Sequence, residues 1–298
     1  PIGRPLYEGS WDFIDPTVFV DDDGQAYLYW GNPNVYYAKL NADMVSLDGE
    51  VSKVEQTIES FGSPGPDKRE KGKKYKDIYT EGPWLHKRGG TYYLSYAAGG
   101  VPEHIAYSMS DTPTGPWKYM GEIMPLQDTG SFTNHCGVTD YKGNSYFFYH
   151  TGKLPGGGGF GRSVAVEQFS YNPDGTFPII NATTEGVSPV GTLTPYQRVE
   201  AETIAFSEGV KSEWNAKTGV YVSGIHDGDY IKVREVDFED LSPKCLCVSV
   251  ASALRGGWIE IRTDSIGGTL IAEMRVPHTG GWECWTSIEA DVTVPVAG

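Results

Sequence analysis

A strand–turn–strand pattern that occurs three times in the first half of the chain constrains the fold more than any other feature. The three copies are Phe13–Trp30, Tyr79–Tyr96 and Phe132–Tyr149. In each copy an alternating stretch is followed by a tight turn, at Asp-Gly, Gly-Gly or Gly-Asn, and then by a second stretch rich in aromatic residues. Alternation around such a turn is typical of a β-hairpin, so we predict three hairpins.

The spacing of the turns predicts how the hairpins are arranged. The turns lie near positions 24, 90 and 143, and a four-stranded blade of a β-propeller repeats at roughly this period of about 50–65 residues. Stretches such as Val35–Leu40 and His104–Ser108 supply further strands, and no long pattern of helical period competes with them. We therefore predict an all-β fold with a β-propeller in its N-terminal part.

Polar residues occupy matching positions in the three copies, at the start of the first strand of each hairpin. They are Asp15, Glu81 and the pair Asn134-His135. Because propeller blades surround a central channel, equivalent positions on successive blades should converge at one mouth of that channel. Two carboxyls and an imidazole would form a site there. The alternative is that each is an ordinary polar residue that caps a turn.

Charge and composition argue against some classes of partner. The formal net charge is −15, whereas nucleic acids and anionic membrane surfaces attract clustered Lys and Arg. No apolar run approaches the roughly 20 residues of a membrane span. Aromatic residues make up 13% of the chain. This content suits stacking on the apolar faces of sugars, or it reflects the preference of Tyr and Trp for strands.

The four cysteines do not define a disulfide framework in a chain of this length. Cys245 and Cys247 are two residues apart and therefore share one face of a strand. Cys284 could pair with either of them, and we expect Cys136, in a different region, to be a free thiol.

The character of the sequence changes after a connector rich in Pro, Gly and Thr, Val187–Pro195. We predict two domains, residues 1–194 and 195–298. The second contains short strands at the spacing of a β-sandwich. The predicted strands are Val199–Ile204, Asp229–Val236, Lys244–Ala251, Trp258–Thr263 and Trp285–Val292.

Four motifs follow one another within about residues 1–190, namely Ile14–Phe19, Tyr79–Trp84, Ser110–Trp117 and Tyr171–Gly175. In order and spacing they resemble glycoside hydrolase family 43, particularly its arabinoxylan arabinofuranohydrolases and β-xylosidases. The resemblance implies a five-bladed β-propeller, present here as an incomplete propeller of roughly three and a half blades. It also implies hydrolysis with inversion, through a general acid, a general base and a third carboxylate.

The same resemblance implies roles for individual residues. Glu81 resembles the general acid, and Asp15 resembles the carboxylate that tunes its pKa. We expect a raised pKa at Glu81, because burial and a nearby negative charge keep a carboxyl protonated near neutral pH. Trp84, in the second motif, is expected to contact the substrate.

His135 resembles a central histidine that lies beneath the sugar and contacts a calcium ion or its waters. The alternative is a histidine on a strand whose hydrogen bonds are satisfied within the fold and which has no role in binding. Arg162 resembles an arginine that reaches the sugar hydroxyls, and its alternative is a surface residue at a strand start. Calcium is accordingly the cofactor that we predict.

The family's general base is an Asp that lies upstream of the motif beginning at Ile14. The resemblance therefore implies that the base lies outside this chain, and Asp12 and Asp21–Asp23 are poor substitutes. We expect a missing segment or a second chain to complete the propeller, unless a shortened propeller works differently.

Three stretches near the C-terminus carry a second resemblance: Arg198–Glu202, Ile225–Ile231 and Thr279–Thr286. They resemble carbohydrate-binding module family 6 over about residues 196–298. The resemblance implies a structural calcium at Glu200 and Glu202, although solvated edge carboxylates are the alternative. It also implies a sugar cleft with two aromatic residues, Trp282 and either Tyr221 or Trp214.

Together these features predict a secreted, extracellular glycosidase acting on plant cell-wall polysaccharide. It would remove α-L-arabinofuranosyl or β-D-xylosyl groups from arabinoxylan or xylan, and the sequence does not choose between the two sugars. One alternative is a non-catalytic polysaccharide-binding protein. Another is a structural or adhesion propeller with no affinity for sugars.

Overall fold

The computed structural model describes residues 4–62 and 79–296. The chain divides into two compact units, Pro1–Ser188 and Pro189–Gly298, and the division falls within the connector that the sequence indicates. The described residues are almost entirely β-structure, with one short helix, α1, at Ile58–Phe61. None of the described helices is long and apolar enough to cross a membrane.

The described part of the first unit contains three antiparallel sheets. The first has the order β1-β2-β3-β4, with β1 Thr17–Val20, β2 Ala26–Trp30, β3 Tyr36–Leu40 and β4 Leu47–Lys53. The second has the order β5-β6-β7-β8, with β5 Tyr79–Arg88, β6 Thr91–Ala98, β7 His104–Ser110 and β8 Lys118–Met124. The third is three-stranded, with β9 Gly137–Tyr141, β10 Asn144–Thr151 and β11 Ser163–Phe169.

All three predicted hairpins are confirmed, as β1-β2, β5-β6 and β9-β10. The turn of the third hairpin lies one residue earlier than its sequence indicates. Asn144 already belongs to β10 and pairs with Tyr141, so the turn residues are Lys142 and Gly143. Both have positive φ, 48° and 82°, as a two-residue turn that matches the twist of its strands requires.

Aromatic side chains form the core between neighbouring sheets of the first unit. Tyr29, Tyr79 and Tyr96 are fully buried where the first and second sheets contribute to one cluster. Phe147 is fully buried in a second cluster, built from the second and third sheets. Burying a large apolar side chain contributes about 1.5–3 kcal/mol, so these contacts hold the sheets against one another.

The meander topology brings the ends of many strands to one edge of each sheet. In an antiparallel order, odd-numbered strands start where even-numbered strands end. In the second sheet, Tyr79 at the start of β5 lies opposite Ala98 at the end of β6, and Ala98 lies opposite His104 at the start of β7. Residues at odd starts and even ends therefore share an edge, and the candidate site lies there.

The described part of the second unit forms four two-stranded pairings, β12-β15, β13-β14, β16-β19 and β17-β18. The strands are β12 Phe206–Glu208, β13 Lys211–Asn215, β14 Gly219–Ser223, β15 Tyr230–Lys232, β16 Cys245–Ser252, β17 Trp258–Arg262, β18 Leu270–Arg275 and β19 Gly281–Asp291. The last three predicted strands are confirmed as β16, β17 and β19. The prediction over Asp229–Val236 is confirmed only at β15.

The predicted strand Val199–Ile204 is wrong. A turn occupies this stretch, because the backbone N–H of Thr203 donates to the carbonyl of Glu200 at 2.9 Å. The first strand of the unit begins at Phe206 instead.

Candidate active site

Three of the predicted site residues meet at the shared edge of the sheets. Asp15 precedes β1, Glu81 lies near the start of β5, and His135 precedes β9. The Nε2 atom of His135 is 3.6 Å from Oε1 of Glu81 and 3.9 Å from Oδ2 of Asp15. The three side chains are only 14–23% exposed. The structure thus places two carboxyls and an imidazole in one partly enclosed space.

The backbone around these side chains is specialised. Asp15 has a φ of 56°, although a residue before proline strongly favours extended conformations. Such strain is costly and persists where the surroundings determine the conformation. Gly82 has a φ of 59°, and a Cβ atom added there would lie 2.8 Å from Cγ of His135. A glycine at this position is therefore what lets His135 approach the strand that carries Glu81.

The structure adds residues that the sequence analysis missed. Asn32, just after β2, donates from Nδ2 to Oε2 of Glu81 at 3.0 Å. His150, near the end of β10, stacks on His135 with ring centroids 5.1 Å apart, and its Nδ1 accepts the backbone N–H of His135 at 3.4 Å. Both lie at or just after the end of an even-numbered strand, at the edge where Asp15 and Glu81 lie. The sequence signal for them was a polar residue at the end of the second strand of each hairpin, whereas the sequence analysis considered only the start of the first strand.

Glu103, directly before β7, is the third carboxyl of the site. It is 4% exposed, and its Oε2 accepts the backbone N–H of Asn134 at 2.7 Å. Its carboxyl interacts with that of Glu81. The sequence did offer a signal for Glu103, because this polar residue directly precedes the predicted strand that starts at His104.

Burial and contacts among these groups shift their pKa values in opposite directions. The close contact with the imidazole of His135 lowers the pKa of Glu81 to about 2. Burial raises the pKa of Asp15, and burial followed by the contact with Glu81 raises the pKa of Glu103 to about 9. Burial also lowers the pKa of His150 to about 4. The expectation of a raised pKa at Glu81 is therefore wrong for the ligand-free chain, because His135 and Asn32 stabilise its carboxylate.

The other predicted residues of the first unit lie around this cluster. Arg162 directly precedes β11, is exposed, and donates from Nη1 to Oγ1 of Thr133 at 3.0 Å. Trp84 is half-buried against the second core cluster and donates from Nε1 to the carbonyl of Val138 at 3.2 Å. Contact of either residue with a sugar stays a prediction.

The predicted residues of the second unit are more scattered. Trp282 and Trp214 are 63% and 68% exposed. Tyr221 packs edge-on against Trp285, with ring centroids 5.4 Å apart. All four cysteines are free thiols, as expected for Cys136, which is buried, and Cys284 pairs with neither Cys245 nor Cys247.

The carboxylates Glu200 and Glu202 do not form a metal site with a third ligating side chain among the described residues. Glu200 is paired with Arg198, whose Nε lies 2.8 Å from its Oε1. This geometry matches the alternative prediction, that the two glutamates are solvated carboxylates at the edge of the unit. The calcium predicted at these two residues has no support from it.

Asp15, Glu81 and His135 could hold a metal ion, since one donor atom from each lies within 4.8 Å of the others. The two carboxylates supply oxygen ligands of the kind that calcium takes, and water can complete the six to eight oxygen atoms that surround this ion. An ion bound to Glu81 would displace the proton that an acid must carry.

Comparisons with known proteins agree with the geometry. The model of glycosyl hydrolases family 43 matches residues 2–177, and that of carbohydrate binding module family 6 matches residues 200–298. An arabinoxylan arabinofuranohydrolase of Bacillus subtilis is 34% identical over 98% of this chain, and one of Paenibacillus polymyxa is 32% identical over 98%.

A crystal structure of the arabinoxylan arabinofuranohydrolase from Bacillus subtilis, in complex with cellotetraose, covers the whole chain with a TM-score of 0.72 and 32% identity. The chain spans 61% and 49% of the lengths of the two curated relatives and 66% of that crystallised chain. These matches support a propeller-type first unit and a sandwich-type second unit. The number of blades and the closure of the ring stay predictions.

Proposed function

The chain belongs to glycoside hydrolase family 43, and from that membership we propose that it is part of a glycosidase acting on arabinoxylan or xylan. The bond cleaved is that of a terminal α-L-arabinofuranosyl or β-D-xylosyl group. The named activities of the relatives support the substrate class. The cluster of Asp15, Glu81 and His135 carries the proposal, because it combines an acid, a second carboxyl and an imidazole in one partly buried space.

In this proposal Glu81 donates a proton to the glycosidic oxygen as the bond to the sugar breaks. Asp15 does not serve as the base of an inverting reaction. Its carboxylate lies within 4.8 Å of Glu81, whereas an inverting pair stands about 6.5–9.5 Å apart to admit water. Asp15 instead adds negative charge beside Glu81, and the general base is proposed to lie outside this chain.

The second unit is proposed to hold the polysaccharide while the first unit acts on it. The match to a carbohydrate binding module supports this role, as do the exposed rings of Trp282 and Trp214. A polymeric plant substrate does not enter cells, so secretion is part of the same proposal.

The test compares the wild-type chain with Glu81→Gln, using nitrophenyl arabinofuranoside, nitrophenyl xyloside and arabinoxylan. Loss of a general acid lowers turnover by about 100- to 10,000-fold, and binding of arabinoxylan should be unchanged. Glu50→Gln, an exposed glutamate on β4, is the matched control and should keep wild-type turnover. Equal turnover by wild type and Glu81→Gln would refute the assignment.

A non-catalytic polysaccharide-binding protein is the second candidate. It is favoured by the low pKa of Glu81, about 2, since a carboxylate cannot donate a proton. Binding of arabinoxylan without release of sugar, in wild type and in Glu81→Gln alike, would support this candidate. If sugar is released, the anomer that appears first by proton NMR decides between inversion and retention.

A further inference from the structure

A cleft in the second unit concentrates basic side chains. Arg255, Arg275 and His278, together with Pro277, line a volume of about 390 Å³. Neither arginine forms an ion pair or a hydrogen bond with any residue in the described part of the chain. The cleft is therefore a local concentration of unpaired positive charge in a chain whose formal net charge is −15.

The two loops that form the cleft are fastened to each other. Ser252, at the end of β16, donates its backbone N–H to Oγ1 of Thr279 at 2.8 Å, and its carbonyl accepts the backbone N–H of Thr279 at 2.9 Å. On the other side of the cleft, the backbone N–H of Val276 donates to the carbonyl of Gly257 at 2.9 Å. These bonds fix the loop after β16 against the loop after β18, so the cleft is formed before any ligand arrives.

A glycine permits this close approach of the loops. Gly256, next to Arg255, has a φ of 63°, and a Cβ atom added there would clash with the carbonyl oxygen of Val276. Any other residue at this position would therefore push the loop of Arg255 away from the end of β18, where Arg275 lies. The two guanidinium groups are thus brought together by the backbone and not by a shared acidic partner.

An exposed aromatic ring lies beside the cleft. Trp258 is directly opposite Arg275 in the ladder of β17 and β18, and cross-strand partners of this kind point to the same face of a sheet. The ring of Trp258 is 64% exposed. A flat apolar surface therefore adjoins the guanidinium of Arg275, on a face that is open to a ligand.

Acidic side chains of the same strands leave this charge uncompensated. Glu260 is paired with Arg262, whose Nε lies 2.8 Å from its Oε2. Glu273, opposite Glu260 in the ladder, precedes Arg275 by two residues, which is about 7 Å along a strand. It forms no ion pair with Arg275. The cleft is consequently available to a negative group from outside the chain.

The chemistry of these side chains indicates the class of ligand. A guanidinium donates two parallel hydrogen bonds to a carboxylate, and a cleft lined by one sign of charge raises the local concentration of the opposite charge. The neighbouring indole ring suits the apolar face of a sugar. A ligand that combines a sugar ring with a carboxylate is a uronic acid.

We propose that the cleft between Arg255 and Arg275 binds the carboxylate of a uronic acid group on the polysaccharide, while Trp258 contacts the sugar ring. This inference rests on the proposed role of the second unit in holding the polysaccharide, and it names the chemical group that the unit selects. The uronic acid is bound and not cleaved, so the step is reversible association without covalent chemistry.

The test compares two matched ligands by calorimetry with the whole chain. One is a xylo-oligosaccharide that carries a single glucuronic acid group, and the other is the same oligosaccharide with that carboxyl reduced to an alcohol. We expect the acidic ligand to bind about 10-fold more tightly, because only its carboxylate forms charge-assisted hydrogen bonds with the arginines. Added salt should reduce this preference.

The outcomes separate this proposal from the one on which it rests. Equal affinity for the acidic and the reduced oligosaccharide would refute the uronic acid site while leaving the second unit as a polysaccharide-binding unit. If the chain binds neither oligosaccharide and does not bind neutral arabinoxylan, the holding role fails as well.

Variants locate the preference in the cleft. Arg255→Gln and Arg275→Gln should each lose most of the preference for the acidic ligand and keep the wild-type affinity for the reduced one. Arg234→Gln is the matched control, because Arg234 is an exposed arginine of the same unit that lies 3.8 Å from Glu235 and outside the cleft. An equal loss in Arg234→Gln would mean that overall charge causes the effect, and the proposal would fail. Thermal unfolding of each variant verifies that it is folded.

Inorganic phosphate distinguishes a sugar site from a general anion site. Phosphate has no ring to place against Trp258, so it should displace the acidic oligosaccharide only weakly. Trp258→Ala should weaken the binding of both oligosaccharides, because both retain the sugar ring. If phosphate binds as tightly as the acidic oligosaccharide and Trp258→Ala has no effect, the cleft binds any anion and the assignment to a uronic acid is wrong.

Discussion

The two units place their aromatic residues in opposite ways. In the first unit Tyr29, Tyr79 and Tyr96 are fully buried between sheets. In the second unit Trp258 and Trp282 are 64% and 63% exposed. The few apolar residues buried in the described part of that unit are Val250, Ile271, Ala272 and Met274. Aromatic residues on strands thus form a core in one unit and a surface in the other. Composition alone therefore does not tell whether an aromatic residue stabilises the fold or is available to bind a ligand.

The charged groups show the same contrast. The first unit buries Glu103 and partly buries Glu81 and Asp15, so their pKa values depart from ordinary ones. In the second unit, Glu200 and Glu260 pair with arginines at the surface. Surface pairs of this kind contribute about 0–1 kcal/mol. The burial that shifts these pKa values also makes the first unit sensitive to substitution and to pH.

The largest difference is expected from truncating a buried ring. Phe147→Ala removes a fully buried side chain of the second core cluster, and we expect the free energy of unfolding to fall by about 3–5 kcal/mol. Trp258→Ala, on the exposed face of β17, should change it by less than about 0.5 kcal/mol. Urea denaturation of both variants measures the contrast. Similar losses in the two would contradict it.

Acid should destabilise the first unit through His86, a partly buried histidine on β5. Burial lowers the pKa of His86 to about 4, below its value of about 6.5 in an unfolded chain. The unfolded state therefore binds a proton that the folded state refuses, and stability is lost as the pH falls from about 6.5 to 4. The full effect is on the order of 3 kcal/mol.

His86→Gln should flatten this pH dependence in denaturation experiments. His226→Gln is the control, because His226 is exposed in the second unit, and it should leave the dependence unchanged. A slope that survives in His86→Gln would assign the acid sensitivity to other groups.

A smaller effect is expected at the glycine that faces the imidazole. In Gly82→Ala the new residue must adopt a φ of 59°, and its Cβ atom would lie 2.8 Å from Cγ of His135. The backbone strain costs about 1–2 kcal/mol, and the ring of His135 must move. Gly90→Ala meets nothing within 4 Å at φ 87°, so it pays the backbone cost alone. Stability should fall in both variants, whereas the NMR chemical shifts of the His135 ring should change only in Gly82→Ala.

The smallest effect on stability is expected from Trp282→Ala. The ring is 63% exposed, so the free energy of unfolding should change by less than about 0.5 kcal/mol. Binding of arabinoxylan, measured by calorimetry, should weaken if the ring stacks on sugar as proposed. An unchanged affinity would remove Trp282 from the binding surface.

Much of the fold was predictable because it is local. The hairpin at Gly89-Gly90 follows from alternation and turn chemistry, and β5 and β6 pair there as predicted. The failure at Val199–Ile204 has the opposite cause. An apolar-polar alternation there is overridden by a turn between Glu200 and Thr203, and no short-range pattern distinguishes the two outcomes.

The site was predictable where the repeat marks it and not elsewhere. Asp15, Glu81 and His135 occupy equivalent positions, so the repeat alone places them together. Asn32 follows β2 and His150 lies on β10, which are the partner strands of two hairpins, and Glu103 directly precedes β7, which lies outside the hairpins. Their proximity depends on which strand ends share an edge, which requires the sheet order.

From the sequence alone came the all-β class, the three hairpins, the two-domain division and the chemical groups available to the site. Tertiary structure alone decided the direction in which the pKa of each of these groups is shifted. Glu81 and Glu103 are the same residue type, yet their pKa values are moved in opposite directions. The reason is that a pKa depends on burial and on neighbouring charge, and both are set by strands that are distant in the chain and adjacent in the fold.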